Sequence, residues 1–261
     1  MGSLKALIDA DLLVYEIGYV FDETVPERTV MNKVDDKIES ILNEASCTTY
    51  ICYLTKSDNN FRNDVATVSK YKGQRLSVKP YHWQLIRDYI QSEHEAVVAD
   101  GCEADDLIGD AMLANPSSSV ICSRDKDLDT IPSWHYGWRC GKHEGKGMYY
   151  VEPEDATRFL YKQMLMGDST DNILGVYGIG TKKAEGILER CSTKEEMQER
   201  IRETYICVYG EGVNKPINYQ DWRGNWIGRT PEEIMGEMYE LLFIGTGEDR
   251  VLNRQGWCGG G

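Results

Sequence analysis

The 261-residue chain contains no C-x-x-C pair, although it has eight cysteines, at positions 47, 52, 102, 122, 140, 191, 207 and 258. A disulfide framework or a paired zinc site therefore has no anchor, and thiols set in apolar runs read as buried and reduced. Cys140 and His143, with His135 nearby, lack the second ligand pair that tetrahedral zinc requires. No apolar run approaches the roughly 18 residues needed to cross a bilayer. The opening "MGSLKALIDADLLVY" lacks the charged, apolar and small-residue order of a secretory leader. Ala6 stands where a myristoylation signal wants Ser or Thr. These absences predict a protein of the cytoplasm with no membrane partner; a monomer is expected. Basic residues are also in the minority: 29 Lys and Arg face 43 Asp and Glu, a formal net charge of −14. That balance excludes a protein that simply coats nucleic acid. Neither an internal repeat nor a low-complexity tract is present.

At 41% hydrophobic, the chain can bury a substantial core. "KALIDAD", "TTYICYLT" (48–55), "AVVAD" (96–100) and "SVICS" (119–123) read as short β-rich runs separated by helix-period stretches. Alternation of this kind predicts an α/β fold with a parallel central sheet and helices on both faces, its ligands collecting at the carboxyl ends of the strands. "GWRCGKHEGKGMYYVEP" (137–153) reads as a hairpin and 154–166 as a helix. Beyond residue 167 the strand signal fades, and helix patterns at 179–190, 193–207 and 231–244 predict a helical subdomain. Tryptophans and turn residues fill 209–230. The domain division expected is therefore 1–166, 167–250 and a tail at 251–261.

Acids gather where such a sheet opens. Asp9 ends the first strand, Asp100 and Glu103 follow the third, and Asp125 and Asp127 follow the fourth. Glu103, Asp105 and Asp106 fall in the first turn of "CEADDLIGDAM", where the helix dipole favours negative charge. Asp168 and Asp171, spaced i and i+3, would share one side of a helical turn. Each group alone reads as capping, an Asx turn or a helix start. Together they would repel one another and recruit cations. Oxygen donors without paired His or Cys select hard ions, Mg²⁺ or Mn²⁺. Two such ions about 3.5–4 Å apart promote in-line attack of water on a phosphodiester.

Basic residues are local. From Lys56 to Arg87, seven (Lys56, Arg62, Lys70, Lys72, Arg75, Lys79, Arg87) stand against Asp58 and Asp64, a local +5. "VSKYKGQRLSVKP" sets Tyr71 among Lys70, Lys72, Arg75 and Lys79, a mixture suited to stacking a base and neutralising phosphate. A solvated basic loop is the plain alternative. "GVYGIGTKKAEGIL" brings a turn through Gly178 and Gly180 into a helix that carries Lys182 and Lys183. Its backbone amides could hold a phosphate without reading sequence, or form an ordinary interhelical turn.

"EADD", "SRDKD..TIP", "GDSTDN" and "GVYGIGTKKA", in this order, resemble the 5′-nuclease superfamily: flap endonucleases, the 5′-nuclease domain of bacterial DNA polymerase I and, most of all, the stand-alone 5′-to-3′ exonucleases of bacteriophages. The match runs from about Asp9 to about Ile187. The resemblance implies a PIN-like nuclease core with a basic arch at about 56–87, and a helix-three-turn-helix in the helical subdomain. It also implies a first ion on Asp9, Glu103, Asp105 and Asp125, with Asp106 beside them and Asp58 in a more distant role. A second ion would fall to Asp127, Asp168 and Asp171. Lys72 and Arg75 would clamp the scissile phosphate, with Tyr71 as a stacking side chain. The hairpin would grip duplex DNA, and the carbonyls of Val176 and Ile179 would hold K⁺.

The function so implied is Mg²⁺-dependent 5′-to-3′ exonuclease or 5′-flap endonuclease action on duplex DNA with 5′ ends, nicks or flaps, in phage replication or recombination. RNA–DNA hybrids are a further substrate that this chemistry permits. The competing readings are a DNA-structure-binding relative without catalysis and a PIN-type ribonuclease. Retention of the acids with Lys72 and Arg75 speaks against the first, and the glycine hairpin against the second.

Overall fold

The computed structural model describes residues 3–74, 78–210 and 217–246, with residues 57–59 described by their backbone alone. Arg75, the side chain of Asp58 and the tail at 251–261 lie outside the described residues. Two compact units interleave along the chain. The first comprises Met1–Asn60, Ser77–Glu152 and Ile244–Thr246, and the second Phe61–Leu76, Pro153–Phe243 and Gly247–Gly261.

In the first unit, β1 (Lys5–Asp9) leads to α1 (Ala10–Gly18) and α2 (Glu27–Glu44), then β2 (Thr49–Asn60). A four-residue α3 (Arg62–Val65) belongs to the second unit. The first unit resumes with α4 (Trp83–Glu93), β3 (Val97–Gly101), α5 (Ala104–Ala114), β4 (Ser119–Cys122), β5 (Trp134–Gly137) and β6 (Gly147–Tyr150). The sheet order is β3-β2-β1-β4-β5-β6, parallel throughout except for β6, which runs antiparallel to β5. The central sheet is thus mostly parallel with helices against it, as expected.

Strand alternation sorts the core into two clusters. Ala6 and Ile8 of β1 pack with the apolar sides of α1, α2 and α4, while Leu7 packs with Ala104, Ile108 and Met112 of α5. On α2 the residues Val30, Val34, Ile38 and Ile41 make the buried stripe. Burial of each such side chain contributes about 1.5–3 kcal/mol. Chain order reverses around β1, whose neighbours are β2 on one side and β4 on the other. The crevice at such a switch point lies beyond the carboxyl ends of β1 and β4, where Asp9 and Asp125 stand.

In the second unit, α6 (Pro153–Met166), α7 (Thr181–Leu188), α8 (Lys194–Tyr209) and α9 (Pro231–Leu242) surround Met164, Ile201, Tyr205 and Met235. A two-stranded hairpin of β7 (Ile217–Gln220) and β8 (Trp226–Arg229) lies between the last two helices. The boundary falls at Glu152/Pro153 rather than after 166, because α6 gives Leu160, Tyr161, Met164 and Leu165 to this second core. The start of the basic stretch falls here too, with Ala66 and Tyr71 buried in the same cluster. Among the described residues no helix is long and apolar enough to cross a membrane.

Candidate active site and nucleic-acid interface

At the switch point, Asp9 is buried, ends β1 and begins α1. Its Oδ1 accepts the amide of Leu12 at 3.4 Å, and its Oδ2 accepts the hydroxyl of Ser123 at 2.9 Å. Burial, followed by the negative charges of Asp11 and Asp125, pushes its pKa up to about 7. Ser123 also accepts the amide of Asp125 at 3.0 Å, and Asp125 in turn accepts the amide of Asp127 at 2.9 Å. One hydroxyl therefore fixes Asp9 and the Asp125–Asp127 turn together. Asp127 pairs with Lys126 at 3.2 Å.

Asp11, which no sequence motif singles out, belongs to this corner. Burial raises its pKa too, against the Thr55 and Arg87 contacts that lower it. Arg87 pairs with it at 2.8 Å. The ladder between β2 and β3 shifts register after Thr55, and that residue becomes a junction. Its amide donates to Asp11 at 2.9 Å, its hydroxyl accepts the amide of Ala104 at 2.9 Å, and its carbonyl accepts Arg87 at 2.7 Å. Thus α1, α4 and the start of α5 are tied to one residue of β2.

Glu103 and Asp105 are half-buried at the start of α5. Asp106 is structural instead: fully buried, it accepts the amides of Glu103 at 2.9 Å and Gly245 at 3.1 Å. Its expected place beside a metal ion is replaced by that of a clamp between the helix start and residues 244–246. The remaining acids are oxygen donors with uncompensated charge at Asp9, which suits a hard divalent cation in donor type and sign. Among the described residues, however, no three His, Cys, Asp or Glu side chains are gathered as a ready metal-binding group.

In the second unit, Asp168 and Asp171 do not share a helical turn. Backbone hydrogen bonds of 2.8 Å in both directions between Asp168 and Ile173 close a tight loop instead. Gly167, at φ +74°, permits it, because a Cβ there would strike the backbone of Ile173 and Leu174. Asp168 is buried and accepts the amide of Thr170 at 2.7 Å. Asp171 receives the hydroxyl of Tyr71 at 2.8 Å, and Lys72 Nζ lies 3.8 Å away. The amide of Lys72 donates to the Asp171 carbonyl at 2.8 Å, and Asn172 Nδ2 donates to the carbonyl of Lys70 at 2.8 Å.

Two expected DNA contacts are corrected here. Tyr71 is 5% exposed, its ring in the apolar core, so it orients Asp171 and cannot stack a base. Arg62 is equally buried and donates to the carbonyls of Leu241 and Phe243 at 2.9 and 2.7 Å, capping α9. Lys70 and Lys79 are exposed, Lys70 over the Trp222 ring at 5.7 Å and Lys79 over that of Trp83 at 3.7 Å. Gly178, at φ +76°, and Gly180 form the exposed turn before α7, with Lys182 and Lys183 on its first turn. Lys183 Nζ donates to the carbonyl of Gly178 at 2.8 Å. The carbonyl of Val176 accepts the amide of Ile179 at 3.0 Å, so one of the two oxygens assigned to K⁺ already has a partner.

No protein-family model matches the chain. A 5′-3′ exonuclease of Mycoplasmopsis pulmonis is 25% identical over 216 residues, covering 77% of this chain and 71% of the relative. DNA polymerase I of Bacillus caldotenax is 29% identical over 198 residues, 69% of this chain. The chain spans only 22% of that polymerase's length. Among solved structures, the 5′-exonuclease of phage T5 with bound zinc superposes with a TM-score of 0.61 at 17% identity, covering 98% of this chain and 92% of that one. The chain resembles the 5′-nuclease superfamily. The motifs that carry this resemblance divide between the units, "EADD" and "SRDKD" in the first, "GDSTDN" and the glycine hairpin in the second. The acids of the first unit stand at the sheet's switch point, and those of the second in a loop latched to Tyr71 and Lys72.

Proposed function

We propose that the chain is a divalent-cation-dependent 5′-nuclease that hydrolyses phosphodiesters of duplex DNA at 5′ ends, nicks and flaps. The observation that carries this reading is Asp9, buried at the switch point and raised to about 7 by burial and by Asp11 and Asp125. Such a carboxylate is stabilised in its charged form by a cation. A hard ion would be held by Asp9 and Asp125 with Glu103 and Asp105, and when bound it would supply Lewis-acid activation of water and charge neutralisation at phosphorus. Ser123 orients Asp9, Thr55 and Arg87 hold Asp11, and Lys72, beside Asp171, supplies a cation for a phosphate oxygen. The hairpin at Gly178–Gly180, with Lys182 and Lys183, grips the duplex backbone. Two-ion chemistry, Mg²⁺ as the natural ion, action on RNA–DNA hybrids, a monomeric state and a phage replication setting belong to the same proposal. Support comes from curated 5′-3′ exonucleases among the relatives, and from the T5 fold described with metal ions and with DNA.

A second reading, duplex binding without cleavage, is favoured by one observation: the described acids do not form a ready metal-binding group. Incubation with 5′-labelled and 3′-labelled nicked and flapped duplexes separates the two. Products released from 5′ ends with Mg²⁺ and none with EDTA are expected, and Asp125→Asn should abolish them with binding retained. Binding without cleavage at any divalent ion would establish the second reading.

A further inference from the structure

The outer face of the β7–β8 hairpin carries a residue that the fold does not ask for. Half-buried and exposed positions alternate along both strands, and the inner residues Ile217 and Tyr219 pack against the core of the second unit. The outer positions Asn218 and Gln220 are polar, as a solvated face requires. Trp226 is paired with Gln220 in the ladder, so it stands on the same outer face, where it is 75% exposed. Gly228, two residues along that face, has no side chain to cover the indole. A single exposed apolar side chain is ordinary. The surroundings of this one are not.

Cations gather at the turn that leads to it. The Arg223 guanidinium lies 4.3 Å from the centroid of the Trp222 ring, and Lys70 Nζ lies 5.7 Å from it. Trp222 Nε1 donates to the carbonyl of Ala66 at 2.8 Å, and Arg223 donates to the carbonyls of Ala66 and Asn63 at 3.1 and 2.5 Å. These acceptors are neutral, so the guanidinium is oriented without its charge being cancelled. Asp221, the carboxylate of the turn, is 8% exposed and takes up the amides of Arg223 and Asn225 at 3.0 and 2.7 Å. Among the described residues neither Lys70 nor Arg223 forms an ion pair with a carboxylate. Support of residues 63–67 accounts for Trp222 Nε1 and for the donors of Arg223. It does not account for the indole of Trp226 or the ammonium of Lys70.

We infer that the outer face of this hairpin receives an unpaired stretch of a DNA strand, one base stacking on Trp226 while Lys70 and Arg223 neutralise phosphates beside it. The inference rests on the DNA-hydrolysing reading above and deepens it, giving unpaired bases a contact of their own apart from the glycine turn. Stacking requires a base with a free face, and inside a duplex both faces are covered by neighbouring pairs, so the site selects single strand over duplex. Arg223 and Trp226 are three residues apart, which keeps their Cα atoms within about 11 Å of each other. A base and its flanking phosphates can span that interval. A protein partner would ask for a broader apolar patch than one indole on a polar face, and in a chain of net charge −14 two uncompensated cations beside that indole favour a polyanion.

The test measures the affinity of the full chain in EDTA for three fluorescent probes: an oligothymidylate, a blunt duplex, and the same duplex with a 5′ thymidylate tail. The parent should bind the oligothymidylate and gain affinity from the tail. Trp226→Ala should bind the oligothymidylate about tenfold more weakly and lose the gain from the tail, yet keep parental affinity for the blunt duplex and a melting temperature within about 2 °C of the parent. Trp226→Phe should regain most of the loss. Lys70→Ala should lower the slope of log affinity for the oligothymidylate against log salt by about 0.7. Parental affinity of Trp226→Ala for the single strand, or an equal loss on the blunt duplex, would overturn the inference. So would dissociation of a parental dimer by Trp226→Ala with single-strand binding unchanged, which would assign the indole to an interface between copies. A parent that binds the blunt duplex but no oligothymidylate would remove this site and leave the 5′-nuclease reading intact, whereas failure to bind any probe at low salt would remove both.

Discussion

Asp9 destabilises the fold in which it is buried. Its carboxyl is raised from an ordinary 3.8 to about 7 in the folded chain, by burial first and then by Asp11 and Asp125. The folded state thus holds a proton that the unfolded state releases between about pH 4 and pH 7, so this group's contribution to stability is most favourable below pH 4 and is lost as pH rises through 7. Asp9→Asn should therefore raise the melting temperature at pH 8 in EDTA, by a stability gain on the order of a few kcal/mol, and the gain should shrink at pH 5. Equal melting at both pH values would show that the carboxyl is not strained. Asp9 and Asp125 were legible in the sequence because each follows an apolar strand, and strand ends are where such sheets bind ligands. Asp11 was not, because its importance comes from Thr55 and Arg87, which meet it only through the β2 irregularity. Tyr71 and Arg62 were misread for a related reason: a count of aromatic and basic residues carries no information about burial, and both side chains turn inward.

Among the elements, α9 organises the second unit. Thr230 caps it with Glu233 in a reciprocal box and Pro231 opens it, and every one of its twelve residues except Glu232 and Glu233 is buried. Glu237 of α9 is 5% exposed and accepts the amides of Thr67 and Val68 at 2.7 and 3.0 Å. It also accepts the hydroxyl of Thr67. These bonds hold the segment that leads to Tyr71 and Lys72. Glu237→Ala leaves two amides buried without acceptors and should cost about 2–4 kcal/mol in urea unfolding; a loss within about 0.5 kcal/mol would mean that the segment is held by its other contacts. Strands β1 to β4 and the helices from α6 to α9 were legible, since their apolar patterns are clear. Hairpin β7–β8 was not, because its four-residue strands are half-buried and half-exposed in strict alternation and, among the described residues, form a ladder only with each other. Its role appears only in three dimensions: Trp222 and Arg223, in its turn, donate to the carbonyl of Ala66 at 2.8 and 3.1 Å, which supports the basic segment from outside.

For the whole molecule, the net charge of −14 is informative through its sorting. Repulsion among acids at the end of a mostly parallel sheet is concentrated on one buried carboxylate, whereas Lys183, Arg190 and Arg200 line one cleft beside the glycine hairpin. A chain so divided would repel DNA over most of its surface and admit it at few places. The resemblance to the 5′-nuclease superfamily was legible because its motifs are local and ordered. The interleaving of the two units was not, since residues 61–74 enter the second unit through burial of Ala66 and Tyr71 rather than through any composition change. The measurement that bears most directly on the cation site is calorimetric titration of Mg²⁺ into the metal-free chain at pH 8, with melting curves at each concentration. Saturable uptake and a rise of roughly 5 °C at saturating Mg²⁺ are expected, both greatly reduced in Asp9→Asn. No heat of binding and a melting curve unmoved at millimolar Mg²⁺ would contradict a divalent-cation site at the sheet's switch point.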